Sequence, residues 1–133
     1  MRRGFLKNSD AVAAVEFALI FVPLMIFILG TFELSRLYYI DHNLEKTADN
    51  IARFMMQKYS EKSISKAAYK NDLEKWIIDN YRFDDPSKII VTVYFGVKNG
   101  YQYREFKLTK PVKLMIPMFN NSIDVDVVRQ IPY

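Results

Sequence analysis

The chain divides by the period of its apolar residues. From Val12 to Phe32 it reads Val-Ala-Ala-Val-Glu-Phe-Ala-Leu-Ile-Phe-Val-Pro-Leu-Met-Ile-Phe-Ile-Leu-Gly-Thr-Phe, apolar around the whole helix circumference, with one charge, Glu16. Roughly 20 such residues suffice to cross a bilayer as a helix. Beyond it, Leu37, Ile40, Leu44, Ala48, Ile51 and Met55 recur at spacings of three and four, with Arg36, Glu45, Lys46, Asp49 and Arg53 mostly off that stripe. No Gly or Pro interrupts Thr31 to Tyr59. The pattern predicts one helix from about Asp10 to Tyr59, its first part in lipid and its second packed on a soluble domain. Glu61-Lys62-Ser63-Ile64-Ser65 breaks it, and Ser63 is the expected N-cap of a second helix. That helix carries Tyr69, Leu73, Trp76 and Ile77 on one face and should end near Tyr81, before Asp84-Asp85-Pro86. Trp76 reads as a packing residue.

The period then changes to two. Ile89, Val91, Val93, Phe95 and Val97 alternate with Ile90, Thr92, Tyr94 and Gly96, and Lys98-Asn99-Gly100 signals a hairpin. On the return, Phe106 and Leu108 share a face, with Val112, Leu114 and Ile116 in the same parity. Pro111 and Pro117 suggest an interruption and an end. Asn120-Asn121-Ser122 turns the chain once more. Ile123, Val125 and Val127 then alternate with Asp124 and Asp126, before Ile131-Pro132-Tyr133. The expected fold class is α+β: a long N-terminal helix, membrane-spanning in its first half, packed on a second helix and a small three-stranded, mostly antiparallel sheet. Tyr94, Tyr101 and Tyr103 around the hairpin are either sheet formers or contacts for another subunit.

Composition narrows the function. Of 133 residues, 50% are hydrophobic, with much of the excess before residue 33. The remaining ~100 residues suffice for one small domain. A formal charge of +4, with cations scattered among acids, argues against nucleic acid as a partner. No cysteine is present, which removes disulfides and thiolate metal sites. The single histidine, His42, sits in a polar stretch and reads as a solvated surface residue. There is no phosphate loop, nucleophile motif or metal-ligand cluster, so no enzyme, cofactor or metal site is expected. Asp84-Asp85 reads as a turn before proline, and Asp124 and Asp126 as the solvent face of a strand.

Arg2, Arg3 and Lys7 precede the apolar run, the layout of a secretory signal. The run exceeds the usual h-region of about 7–15 residues, and no small-residue cleavage site follows its core. A retained single-span anchor is expected. The positive flank places the N-terminus in the cytosol. The resulting division is a basic cytosolic leader (1–11), a transmembrane helix (12–32) and a periplasmic α+β domain (33–133).

An ionised side chain at bilayer depth costs about 2.5–3.5 kcal/mol on insertion scales. No Lys or Arg within the run can pair with Glu16. At this point a resemblance enters. Asp10-Ala-Val-Ala-Ala-Val-Glu-Phe-Ala-Leu-Ile-Phe-Val-Pro-Leu24, continued through Gly30, Glu33 and Arg36, resembles the opening of TadE-like proteins, pseudopilins of the tight-adherence (Flp) pilus machinery. The resemblance covers about residues 10–53. It implies that prepilin peptidase cuts on the cytosolic side, leaving an acid as the fifth mature residue. Carried over, Glu16 makes Val12 the first mature residue and Ala11 the last of the leader, where the family usually has glycine.

Cleavage after Ala11 would create an α-amino group at Val12 that is mostly cationic at neutral pH. The amine of one subunit could pair with Glu16 of a neighbour and set axial register, since the unpaired alternative is costly. The amine four residues away in the same helix is a second partner for Glu16, and a protonated or snorkelling carboxyl a third reading. Pro23 removes a backbone donor and should kink or locally open the helix, which could also give a subunit the flexibility to leave the bilayer. The resemblance further implies partners: prepilin peptidase, the major Flp pilin, sister pseudopilins and inner-membrane platform proteins, besides membrane lipid. The function the resemblance implies is a minor pilin or pseudopilin, pilin-like in fold, for adhesive Flp-type pili, located in the inner membrane, with incorporation into an extracellular pilus left open. The alternatives are an unprocessed membrane-anchored periplasmic binding domain and a cleaved secreted domain.

Overall fold

The computed structural model describes residues 4–59, 63–115 and 122–132. Helix α1 runs from Gly4 to Tyr59. Helix α2 spans Lys66–Asn80. A 3-10 turn over Pro86–Lys88 leads into strand β1, Ile90–Lys98, followed by β2, Tyr101–Lys113, and β3, Ser122–Pro132. The strands form an antiparallel meander in the order β1-β2-β3. The α+β architecture expected from the periodicity is therefore the observed one. The chain forms two compact units, Met1–Arg36 and Leu37–Tyr133.

Several boundaries differ from the sequence reading for local reasons. Helix α1 begins at Gly4 rather than near Asp10. The segment before Asp10 contains no proline to stop it. Ser65, not Ser63, caps α2: its Oγ accepts the Ala68 N–H at 3.3 Å, satisfying a donor that the first turn leaves free. The helix ends as expected, with the Tyr81 N–H donating to the Ile77 carbonyl at 2.8 Å. Strand β2 continues through Pro111 instead of breaking there. Because β1 starts at Ile90, opposite Thr109, Pro111 has only β3 beside it. That is an edge position, where a missing N–H is tolerated. Leu114 lies just past β2, and Ile116, Pro117, Asn120 and Asn121 fall outside the described residues.

Asn99 and Gly100 adopt φ of 53° and 82°, the left-handed pair that a two-residue hairpin needs to match the twist of its strands. Gly96 lies opposite Tyr103, whose ring crosses it so closely that a Cβ there would sit 2.7 Å from the hydroxyl.

Leu44, Ala48, Ile51 and Met55 of α1 share one core with Tyr69, Leu73 and Ile77 of α2 and with Val91, Val93, Phe106, Leu108, Val127 and Ile131 of the sheet. Each fully buried Leu, Ile, Val or Phe contributes about 1.5–3 kcal/mol. Trp76 packs at the margin against Phe54, ring centroids 6.3 Å apart. The stripe on α1 is wider than its apolar residues: Asn43 and Thr47 are buried beside it, and the Thr47 hydroxyl donates to the Asn43 carbonyl at 2.7 Å.

Candidate assembly surface on the N-terminal helix

Every large apolar side chain from Val12 to Phe32 is between 37% and 73% exposed among the described residues. The helix contains one window long and apolar enough to cross a membrane, and none of that window is buried. Ala11, Val12, Glu16 and Pro23 all lie within this exposed stretch. Helical spacing puts Glu16 one turn beyond Val12, and Pro23 two turns beyond Glu16 on nearly the same face. The Ala11–Val12 bond sits inside α1, not at its start. The Glu16 carboxylate is exposed and makes no ion pair among the described residues. Phe17 and Phe21 stack one turn apart, with centroids at 5.1 Å.

Pro23 does not end the helix. It has no N–H for the Leu19 carbonyl, so one interior bond of the ladder is missing. Further along, the polar groups are bonded within the helix. The Thr31 hydroxyl donates to the Phe27 carbonyl at 2.8 Å, and the Ser35 hydroxyl to the Thr31 carbonyl at 2.9 Å. Arg36 pairs with Glu33 at 3.3 Å, one turn apart, and Glu33 is buried. The spacing of three between them was the available signal for this pair.

In the folded domain the charged groups have structural work. Asp85 caps the 3-10 turn, accepting from the Ser87 hydroxyl at 2.7 Å and backbone N–H at 3.0 Å, which hold its carboxyl below the usual range. Lys107 at 2.7 Å and Thr109 at 2.6 Å do the same for Asp126 on the exposed face of β3. Burial pulls the Lys110 ammonium down, but its bonds to the Tyr81 hydroxyl at 2.8 Å and Asp84 at 3.0 Å outweigh that and hold it above the ordinary range. Burial pushes the Tyr69 phenol up to about 12. Tyr94 and Tyr101 are exposed, whereas Tyr103 is half-buried over Gly96. His42 is exposed. Among the described residues no three His, Cys, Asp or Glu side chains are grouped to hold a metal.

Among the described residues one helix is long and apolar enough to cross a membrane, and the rest of the fold is one further helix, a 3-10 turn and an antiparallel meander. Residues 11–53 match the family model described as TadE-like protein. Over that stretch the chain is similar to the TadE-like family. The match ends inside α1, so α2 and the sheet lie beyond it. No curated protein and no solved structure matches the chain.

Proposed function

We propose that the protein is a minor pilin or pseudopilin in the biogenesis of Flp-type pili, matured by prepilin peptidase between Ala11 and Val12. In this reading residues 1–11 are a cytosolic leader, 12–32 span the inner membrane, and 33–133 form the periplasmic domain. The new amine at Val12 pairs with Glu16 of a neighbouring subunit and sets register, while Pro23 loosens the helix for extraction from lipid. Its partners are the peptidase, the major pilin, sister pseudopilins and the platform proteins. The observation that carries the reading is Glu16, exposed and without an ion pair among the described residues, in an exposed apolar helix inside the TadE-like match. A charge left that way in lipid is costly, and a cation from maturation relieves it. Because the Ala11–Val12 bond lies within α1, the first turns must unwind for the peptidase to reach it.

The test is the intact mass and N-terminal sequence of membrane-extracted protein, with and without prepilin peptidase. A chain starting at Val12 only when the peptidase is present is the expected result. A chain starting at Met1 in both leaves Glu16 without its amine and favours an unprocessed, membrane-anchored binding domain.

A further inference from the structure

The exposed apolar character of α1 does not stop at Phe32. Leu34 is 66% exposed, and Tyr38 and Tyr39 are 79% and 60% exposed. Adjacent residues point about 100° apart on a helix, so the two tyrosines face different sides of α1. The polar groups between Phe32 and these rings need little water. Ser35 donates back to the helix, and Arg36 and Glu33 neutralise each other. Asp41 and His42 then open the polar stretch.

Length sets the depth of the rings. Pro23 lies within one residue of the midpoint of the apolar run Val12–Phe32. At 1.5 Å per residue Tyr38 and Tyr39 lie about 22–24 Å further along the helix. A typical tilt of about 20° reduces this to about 21–23 Å. Half the bilayer including headgroups is about 20–22 Å. Tyr and Trp collect at that depth because the ring is apolar and its hydroxyl is wet. From this geometry we infer that Tyr38 and Tyr39 form an aromatic collar in the phospholipid headgroup layer on the side of the folded domain. The lipid-contacting part of α1 thus extends to Tyr39. This rests on the membrane-spanning reading of residues 12–32.

The chain has one tryptophan, so Trp76→Phe gives a silent background for single-Trp variants. Tyr38→Trp, Tyr39→Trp and, as a deep reference, Phe27→Trp are reconstituted in phosphatidylcholine vesicles with bromines either near the headgroups or near the chain ends. At positions 38 and 39 shallow bromines should quench several-fold more than deep ones, with the opposite order at position 27. Quenching at 27 by deep bromines with none at 38 and 39 overturns the collar and leaves the span standing. Stronger deep than shallow quenching at 38 and 39 also overturns it. No quenching at 27 removes the span, and the collar with it. Fluorophores on cysteines introduced at the same positions, unique because the chain has none, repeat the reading with Trp76 intact.

Discussion

Arg104 heads the largest side chains fully buried among the described residues, although it sits on a strand of alternating polarity. Its guanidinium donates to the Tyr59 carbonyl at 2.9 Å and lies 5.6 and 5.8 Å from the ring centres of Tyr69 and Phe95. It therefore closes the C-terminal end of α1, where carbonyls lack helical partners. Arg104→Ala would leave that carbonyl unpaired in the interior and open a cavity, a loss of about 3 kcal/mol. Arg104→Lys should lose less, since a charge and one donor remain but the planar stacking does not. Urea unfolding of the full chain in nonionic micelles, followed by Trp76 fluorescence, measures both. A shift for Arg104→Ala no larger than for Arg53→Ala, an exposed control, would refute the assignment.

At the level of elements, helix α1 is defined as much by its defect as by its length. Pro23 deprives the Leu19 carbonyl of a partner, and proline inside a helix costs about 3 kcal/mol relative to alanine in water. Pro23→Ala should restore the bond and slow amide exchange severalfold over residues 22–27 in micelles. Unchanged exchange there would mean that the helix is equally closed with proline present. The elements themselves were legible because each has a clean period: three to four along α1 and α2, two along β1, and an Asn-Gly turn between strands. What escaped was the company on the inner face of β2. Arg104 and Lys110 have the parity of Phe106, Leu108 and Val112, so the alternation did place them inward. A charged residue in that parity reads as an exception until its partners are known, and Tyr59, Tyr81 and Asp84 come from distant parts of the chain. Ser63 and Ser65 posed the opposite difficulty, two equivalent caps separated by one residue, decided only by which hydroxyl meets the Ala68 N–H. On α1 the candidate residues stood out because a charge in an apolar run is expensive, whereas the Glu33–Arg36 pair is ordinary helical spacing.

For the molecule as a whole, acid should be the sensitive side. The Asp72 carboxyl is held below its usual range by Lys58 at 2.8 Å and by the Tyr59 hydroxyl. Asp84 is held down by the Asp85 backbone N–H and then Lys110, and Asp126 by Lys107 and then Thr109. A carboxyl with a depressed folded pKa binds its proton more readily when unfolded. Its contribution is complete above the unfolded value, near 3.9 for Asp, and disappears as pH falls through the folded one. These groups are substantially exposed, so each contributes modestly. The unfolding midpoint should stay level from about pH 5 to 8 and fall steadily below about pH 4. Asp72→Asn combined with Asp126→Asn should flatten that fall, and an unaltered acid limb would show that these pairs do not govern it.

The outer half of α1 is tied to the sheet at two separated points: Arg129 of β3 holds Asp49 at 2.6 Å, and Arg104 of β2 holds the Tyr59 carbonyl. Between them lie about 15 Å of helix with Ile51 and Met55 in the core. Tension drawn along α1 would load both ties and the intervening contacts side by side, in shear, instead of peeling them one after another. With two ties and the core contacts between them sharing the load, the stretch of α1 from Asp49 to Tyr59 yields to a pull only when all of them give together.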